Sequence, residues 1–387
     1  MMERPGYEIA QIIERFGSEF VAQCHPNRFT LRTLDALQQC RTQTLGGHKD
    51  KCDNEGCGKE RFSYNSCGNR HCPKCQSSKQ LLWAEDRMND ALNVKYFHVV
   101  FTIPQGLDAI CLLDSKAFYS ALFECAWSTL RTFGYSHYGV ESGAICALHT
   151  WGQNISLHPH LHCIVPAAGL TLNGKLKRIT KNGKYLYPVK MLSTVFRGKL
   201  LGKLKLQLKK SDRLAQYQST LDACWAKPWV VYCEPSLGNA QQIVRYLGRY
   251  THRVAISNNR IKNIDASGVT FLFKDYKDKA REKSMTLTGV EFLRRFCMHI
   301  LPYRFVKIRY YGILGSRYKK EVAPLKQKPD LTKPIETRQQ RIVRLTGFDP
   351  CKCPYCKTGT MHTVETLPKI RPPINVLYPN VQENFTV

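Results

Sequence analysis

Acidic side chains are scarce in this chain of 387 residues: 30 Asp and Glu stand against 58 Lys and Arg, a formal net charge of +28. A field so unbalanced repels basic partners and gathers polyanions, of which nucleic acid is the commonest. Long apolar runs are absent too. No stretch reaches the roughly 18 residues that mark a membrane-spanning helix, so no spanning helix is expected. The opening MMERPGYEIAQIIERFG lacks the basic-then-apolar order of a secretion signal, and export is not expected. No internal repeat is visible. Cysteine, by contrast, is plentiful: 17 residues in a chain without a signal point to metal sites and buried thiols rather than to disulfides. With 43% hydrophobic and 11% aromatic residues the chain can bury real cores. Its length allows two or three domains at ~100–200 residues each.

Helical apolar spacing runs through residues 8–22 (Ile9, Ile12, Ile13, Phe16, Phe20) and 30–40 (Leu31, Leu34, Leu37). Residues 46–75 turn rich in Gly, Cys, Asn and Lys and read as metal-held loops, and 76–93 read as a helix. From residue 94 the pattern is α+β. VKYFHVVFTIP reads as a strand ended by Pro104, 115–133 as a helix, and 143–151 and 158–166 as two strands around the polar turn GQNIS. Lys175 to Lys184 is hairpin-like, 190–226 helical, WVVYCEP a strand, and 239–250 a helix with Asn239 as N-cap and Gln242 three residues on. VTFLFKDYK, a helix over 288–300 and the basic strand FVKIRYYG follow; beyond about residue 320 the chain is rich in Lys and Pro. The expected division is therefore 1–90, 94–315 and 316–387.

The sharpest local signal is His158-Pro159-His160-Leu161-His162. Side chains alternate along a strand, so the three histidines share one face and Leu161 takes the other. Two imidazoles so spaced can grip one divalent cation. Pro159 removes a ladder donor, which places it at a strand start or sheet edge. Two histidines rarely complete a site. His98, on the first strand of this region, is the expected third ligand, with Gln153 and His158 as alternatives.

A second constellation is QQIVRYLGRY, Gln241 to Tyr250. Tyr246 and Tyr250, spaced i, i+4, share a helix face, and Arg245, Arg249 and Arg253 flank them. A phenol of ordinary pKa ~10 is a poor nucleophile at neutral pH; cations and a metal-polarised phosphate would make it competent.

The cysteines cluster. Cys52-x4-Cys57 followed by Cys72-Pro-Lys-Cys75 is a zinc-ribbon pattern, expected to hold one Zn²⁺ through Cys52, Cys57, Cys72 and Cys75. Cys40, His48, Cys67 and His71 remain for a second. Cys351, Cys353, Cys356 and His362 have the spacing for a third, or for a free-thiol loop. Lys49, Lys51, Lys59, Arg61, Arg70 and Lys74 around the first set could meet phosphates. So could Arg304, Lys307 and Arg309 with Tyr310 and Tyr311, where rings stack bases and cations meet the backbone of single strands.

HPHLH resembles the histidine-hydrophobe-histidine motif of HUH endonucleases, and YLGRY with THRVAIS resembles the paired tyrosines of the insertion sequence 91 family of transposases. SCGNRHCPKC, FHVVFTIP, VTFLFKDYK and RRFCMHILPYRFVKIRYYG fit that family in order, spanning roughly residues 36–315. The resemblance implies an α+β HUH domain, a central antiparallel sheet flanked by helices, behind an N-terminal helical and zinc-binding domain. It implies Mg²⁺ or Mn²⁺ on His160 and His162, with His98 where related initiators place their third ligand. It implies attack by Tyr246 or Tyr250 on single-stranded DNA at the element's ends, leaving a 5′-phosphotyrosine and a free 3′-OH: rolling-circle transposition. A bacterial cytoplasmic protein, nucleoid-associated when bound to DNA, follows as an expectation; a monomer is compatible with it. The alternatives are a plasmid-type rolling-circle replication initiator or relaxase, a non-catalytic zinc-ribbon DNA-binding regulator, and a zinc hydrolase using His158, His160 and His162.

Overall fold

The computed structural model describes residues 5–179, 186–235, 254–276, 278–323 and 336–370. The N-terminal apolar spacing forms two helices. α1 (Ile9–Cys24) starts where the Gln11 side chain accepts the Glu8 N–H at 2.8 Å, and stops at His25, whose left-handed φ of 44° turns the chain. α2 (Arg28–Gln38) starts at Asn27, whose side-chain oxygen accepts the Thr30 N–H at 2.9 Å. The antiparallel pair β1 (Gly47–Cys52) and β2 (Glu60–Tyr64) follows, then α3 (Pro73–Asp90), with proline at the first helical position where a missing N–H is harmless.

The next stretch supplies β3 (Tyr96–Thr102), α4 (Asp108–Leu113), α5 (Ser115–Phe133), β4 (Val140–Glu141), β5 (Gly143–Trp151), β6 (Leu157–Pro166), β7 (Ala168–Thr171) and β8 (Leu176–Arg178). The expected helical stretch 190–226 is two helices, α6 (Val189–Lys210) and α7 (Leu214–Ala226), parted where Asp212 adopts φ 55°. β9 (Val231–Pro235) precedes the undescribed residues 236–253. Then come β10 (Ile261–Asp265), β11 (Gly268–Asp275), β12 (Arg281–Leu287), α8 (Gly289–Cys297), β13 (Ile308–Gly312), α9 (Arg338–Thr346) and β14 (Met361–Leu367).

A five-stranded sheet in the order β13-β5-β6-β3-β9 lies at the centre, antiparallel at every junction. The fold is thus mixed α+β. Alternation divides the sheet's faces. Phe97, Val99, Phe101, Cys146, Leu148, Leu161, Cys163 and Val165 turn to one side and pack with Phe118, Leu122 and Phe123 of α5 and Phe196, Leu200 and Leu204 of α6. Burying each large side chain there is worth roughly 1.5–3 kcal/mol. The other face carries the histidines.

A second core joins distant parts of the sequence. Ile12, Phe16, Leu31 and Leu34 of the first two helices pack with Ile261, Val269, Phe271 and Phe292. A Cβ at Gly289 would lie 2.0 Å from the Phe16 ring, so only glycine lets the start of α8 approach α1. The C-terminal segment returns as well. β14 pairs antiparallel with β1, giving a sheet in the order β14-β1-β2. Arg341 of α9 reaches Glu85 and Asp86 on α3, and Arg344 lies 2.5 Å from Glu85. These contacts cross the boundaries expected near residues 90 and 316. Among the described residues, no helix is long and apolar enough to cross a membrane.

Candidate functional site

β6 runs through the middle of the central sheet, so its histidines have a neighbour on each side. His160 stands opposite His149 of β5 and Thr102 of β3; His162 stands opposite Ala147 and Val100. One ligand nitrogen from each of His149, His160 and His162 converges to within 4.8 Å of the others. His149 and His162 are buried. The Nδ1 of His160 lies 2.6 Å from the His158 carbonyl oxygen. A carbonyl can only accept, so Nδ1 carries the proton and Nε2 presents its lone pair. His162 Nδ1 lies 2.9 Å from His98 Nε2, with the two rings parallel at 5.1 Å. Burial pushes His98 down to about 4, which keeps it neutral at pH 7. Three nitrogens converging on one rigid sheet face, one of them with its tautomer fixed, fit a divalent cation.

The turn at residues 152–156 sets this geometry. The β5–β6 register slips between His149 and Trp151, and Pro159 sits just beyond the last β3 pair, Thr102 with His160. Pro159 therefore occupies a strand start, as its missing donor requires, but the strand is central rather than at an edge. Arg260 reaches the Gln153 carbonyl, Arg295 donates to the Asn154 carbonyl at 3.3 Å, and His299 donates to the Ile155 carbonyl at 3.1 Å. Ile155 is fully buried with φ 60°, a conformation a β-branched residue adopts only under constraint. Trp151 stacks on His149 at 4.8 Å.

The arrangement brings the expected ligands His160 and His162 together with a histidine that sequence reading did not single out. The converging group is His149, His160 and His162; His98, His158 and Gln153 lie outside it. His98, on β3, is diagonal to His162 on β6, and its Nε2 meets His162 Nδ1. Sequence alone does not single out His149, because a pair across two strands is visible only once the register is known. Its signal was a lone His in a segment already read as a strand. Tyr246, Tyr250, Arg245, Arg249 and Arg253 lie outside the described residues.

The thiols also regroup. Cys40, Cys67, Cys72 and Cys75 form one cluster; Cys52 and Cys57 join Cys353 and Cys356 in another. The expected ribbon of Cys52, Cys57, Cys72 and Cys75 does not form, because Cys52 ends β1 next to β14, whereas Cys72 and Cys75 open α3 and are buried with Cys40 in the second core. In the first cluster Cys40 and Cys75 lie 3.5 Å apart, Cys67 and Cys75 3.6 Å, and Cys40 and Cys72 3.6 Å. Four thiolates at 2.3 Å around a tetrahedral zinc stand about 3.8 Å apart. Backbone N–H groups of Cys67 and Asn69 point at the sulfurs of Cys40 and Cys67. Hydrogen bonds from Cys67 and Cys72 hold the Cys40 thiol below its ordinary value. The cluster fits structural Zn²⁺.

The other predicted zinc ligands are engaged elsewhere. His48 pairs with Asp50 at 3.6 Å and His362 with Asp53 at 3.2 Å. Cys351 accepts from the Gln339 side chain at 2.7 Å. His71 has a buried Nε2 with no hydrogen-bond partner, and burial, then Arg70, pushes its ring to about 3. Several expected phosphate contacts are likewise occupied. Lys49 pairs with Glu60 and Lys74 with Glu8, each at 2.8 Å, and Arg61 with Asp50 at 3.4 Å. Arg70 donates to the carbonyls of Leu301, Pro302 and Phe305. Lys51 and Lys59 are exposed. Arg304 is exposed beside Tyr303; Arg309 lies over Phe123 at 4.3 Å, and Lys307 over Trp151 at 5.0 Å, next to the histidine trio.

A strongly basic α+β chain with an imidazole trio on its central sheet and a zinc-type thiol cluster beside it defines a class: metal-binding proteins that act on nucleic acid. Comparison with known proteins narrows it. Residues 12–103 match the family described as "Transposase zinc-binding domain", and residues 143–321 the family described as "Putative transposase". The chain is similar to the "Putative transposase y4qJ" of Sinorhizobium fredii (strain NBRC 101917 / NGR234), 41% identical over 94% of this chain and 96% of that one. It is also similar to the transposase for insertion sequence element IS801 of Pseudomonas savastanoi pv. phaseolicola, 26% identical over 86% of this chain and 83% of the other. No solved structure matches. The chain belongs to the insertion sequence 91 family of transposases, and is a DNA-processing enzyme with a zinc-binding domain.

Proposed function

We propose that the chain nicks and rejoins single-stranded DNA at the ends of its element through a 5′-phosphotyrosine, in a rolling-circle mode of transposition. The observation that carries this reading is the convergence of His149, His160 and His162 on one face of the central sheet. Mg²⁺ or Mn²⁺ held there would polarise the scissile phosphate and stabilise charge on the departing 3′-oxygen. A donor set made of nitrogens suits Mn²⁺ better than Mg²⁺, which prefers oxygen.

The protein's own part is positioning and attack. The hydroxyl oxygen of Tyr246 or Tyr250 bonds to phosphorus as the bond from phosphorus to the 3′-oxygen breaks. The phenolic proton is given up and the 3′-oxygen acquires one. The phosphodiester's energy stays in the tyrosyl linkage, so a 3′-OH can reverse the step without ATP. Two tyrosines would let one hold a cleaved end while the other opens a second site. Arg245, Arg249 and Arg253 flank the phenols in sequence and would favour the phenolate. Arg304, exposed beside Tyr303, suits the backbone of a single strand.

The test is a single-stranded oligonucleotide carrying an element end, incubated with protein and Mn²⁺. A covalent adduct on Tyr246 or Tyr250 is expected by mass spectrometry. It should vanish when both are changed to Phe, and when His160→Ala and His162→Ala are combined. An adduct that survives the Phe pair, or cleavage that leaves no adduct, overturns the proposal.

A further inference from the structure

The second thiol cluster draws its members from opposite ends of the chain. Cys52 Sγ lies 3.8 Å from Cys356 Sγ, and Cys57 Sγ 3.8 Å from Cys353 Sγ. That is the separation of about 3.8 Å expected between thiolates around one tetrahedral zinc. Cys52 and Cys353 are buried, and the four thiols with Met361 make a small core of their own. The surroundings have the features of a metal knuckle. Gly359 N–H points at Cys356 Sγ at 3.3 Å, and the Asn54 side chain reaches the same sulfur. A Cβ at Gly359 would sit 2.5 Å from Cys52 Sγ, so the residue facing the cluster has to be glycine.

Backbone bonds tie the two loops together. Asp53 N–H donates to the Thr360 carbonyl at 3.0 Å, and Thr360 N–H to the Asp53 carboxylate at 2.7 Å. Beyond them the β1–β14 ladder continues the join.

We propose that Cys52, Cys57, Cys353 and Cys356 hold a second structural zinc, which clips the C-terminal segment to the N-terminal sheet. The region matching the zinc-binding family ends at residue 103 and supplies only half of these ligands. The zinc-binding unit is therefore built by both ends of the chain, and β14 and α9 are parts of it. Linking residues so far apart in sequence removes much freedom from the unfolded chain. The clip also places α9 where Arg341 and Arg344 meet Glu85 on α3.

Full-length protein purified without chelator should contain two zinc ions per chain. Its cobalt-substituted form should show the thiolate-to-metal absorption of two four-sulfur sites. Combining Cys353→Ser with Cys356→Ser should halve both, and Cys351→Ser should change neither. Peptide mapping after alkylation of the unmodified, zinc-loaded protein needs no variant. Cys52, Cys57, Cys353 and Cys356 should be protected together, and become reactive together when a chelator removes the ion. One zinc per chain, alkylation of Cys353 and Cys356 in loaded protein, or two ions retained by the double variant would each overturn the proposal.

Discussion

The thiol clusters and the histidine trio are two ways of building a metal site, and they sit on opposite kinds of scaffold. Cys40, Cys67, Cys72 and Cys75 come from a helix end, a loop and a helix start; the sulfurs close on one another, and three of them are buried in a core. His149, His160 and His162 come from two paired strands whose backbones are already fixed by the ladder. Four ligands from irregular backbone leave no coordination position and make the fold depend on the ion. Three candidate ligands on a preformed sheet would leave positions open for substrate and make the ion depend on the fold. The first arrangement is structural by construction, the second available for chemistry.

The largest effect expected is on the structural side. Cys72→Ser removes one ligand from a cluster packed against α1, α2 and α8. Apparent binding energies of structural zinc, about 10–16 kcal/mol in isolated fingers, exceed what holds most domains together. The variant should lose zinc by elemental analysis and its melting midpoint should fall by more than ~10 °C. Combining His160→Ala with His162→Ala should move that midpoint by only a few degrees. If the two melt alike, the contrast between the regions is wrong.

Within the trio, His149→Ala tests the candidate ligand that sequence reading does not single out. Mn²⁺ affinity, followed by titration calorimetry, should fall by more than about 100-fold, beyond the cost of losing a supporting partner. An unchanged affinity would return the third position to His98 or to a residue outside the trio.

What was legible in the sequence follows the range of the interactions involved. Amphipathic spacing gave α1 and α2, and the alternation of HPHLH gave the histidine face of β6, because both are properties of adjacent residues. The partners of β6 were not legible. That His149 lies opposite His160 depends on a five-residue turn held by Arg260, Arg295 and His299, more than 100 residues away. The thiols show the same limit. Cys72-Pro-Lys-Cys75 announced a knuckle, but spacing could not say which pair would face it, and the nearest pair in sequence went to Cys353 and Cys356. β10 and β12 are not legible because neither alternates cleanly between buried and exposed positions.

The turn that joins the two regions offers a smaller effect. His299 is buried, donates through Nε2 to the Ile155 carbonyl, and accepts at Nδ1 from Thr150 Oγ1 at 3.1 Å, which requires the neutral ring. Burial pushes it down to about 4 from the ordinary 6.5. Above pH 6.5 the ring is neutral folded and unfolded. As pH falls from there to 4 the unfolded chain takes up the proton first, so stability declines, by about 3 kcal/mol for a shift of this size. His71, pushed to about 3, acts in the same direction. Urea unfolding at pH 7 and pH 4 should show the loss, and His299→Gln should lessen it. A slope unchanged in that variant would clear His299 of the effect.

The smallest effect separates a ligand from its support, and His98 is the residue that decides between the two. If His98 held the cation, any replacement without a ligating nitrogen would cost as much as His149→Ala. The structure instead sets His98 Nε2 against His162 Nδ1 at 2.9 Å. From there it can fix which nitrogen of His162 faces the cation, and losing such a partner costs about 10–100-fold in affinity, or roughly 1.4–2.7 kcal/mol. His98→Leu should therefore weaken Mn²⁺ binding by that amount. His98→Gln, whose side-chain oxygen can still accept from Nδ1–H, should recover most of it with the melting midpoint unchanged. A Gln variant as weak as His149→Ala would make His98 a ligand after all, and would turn the trio into a four-histidine site.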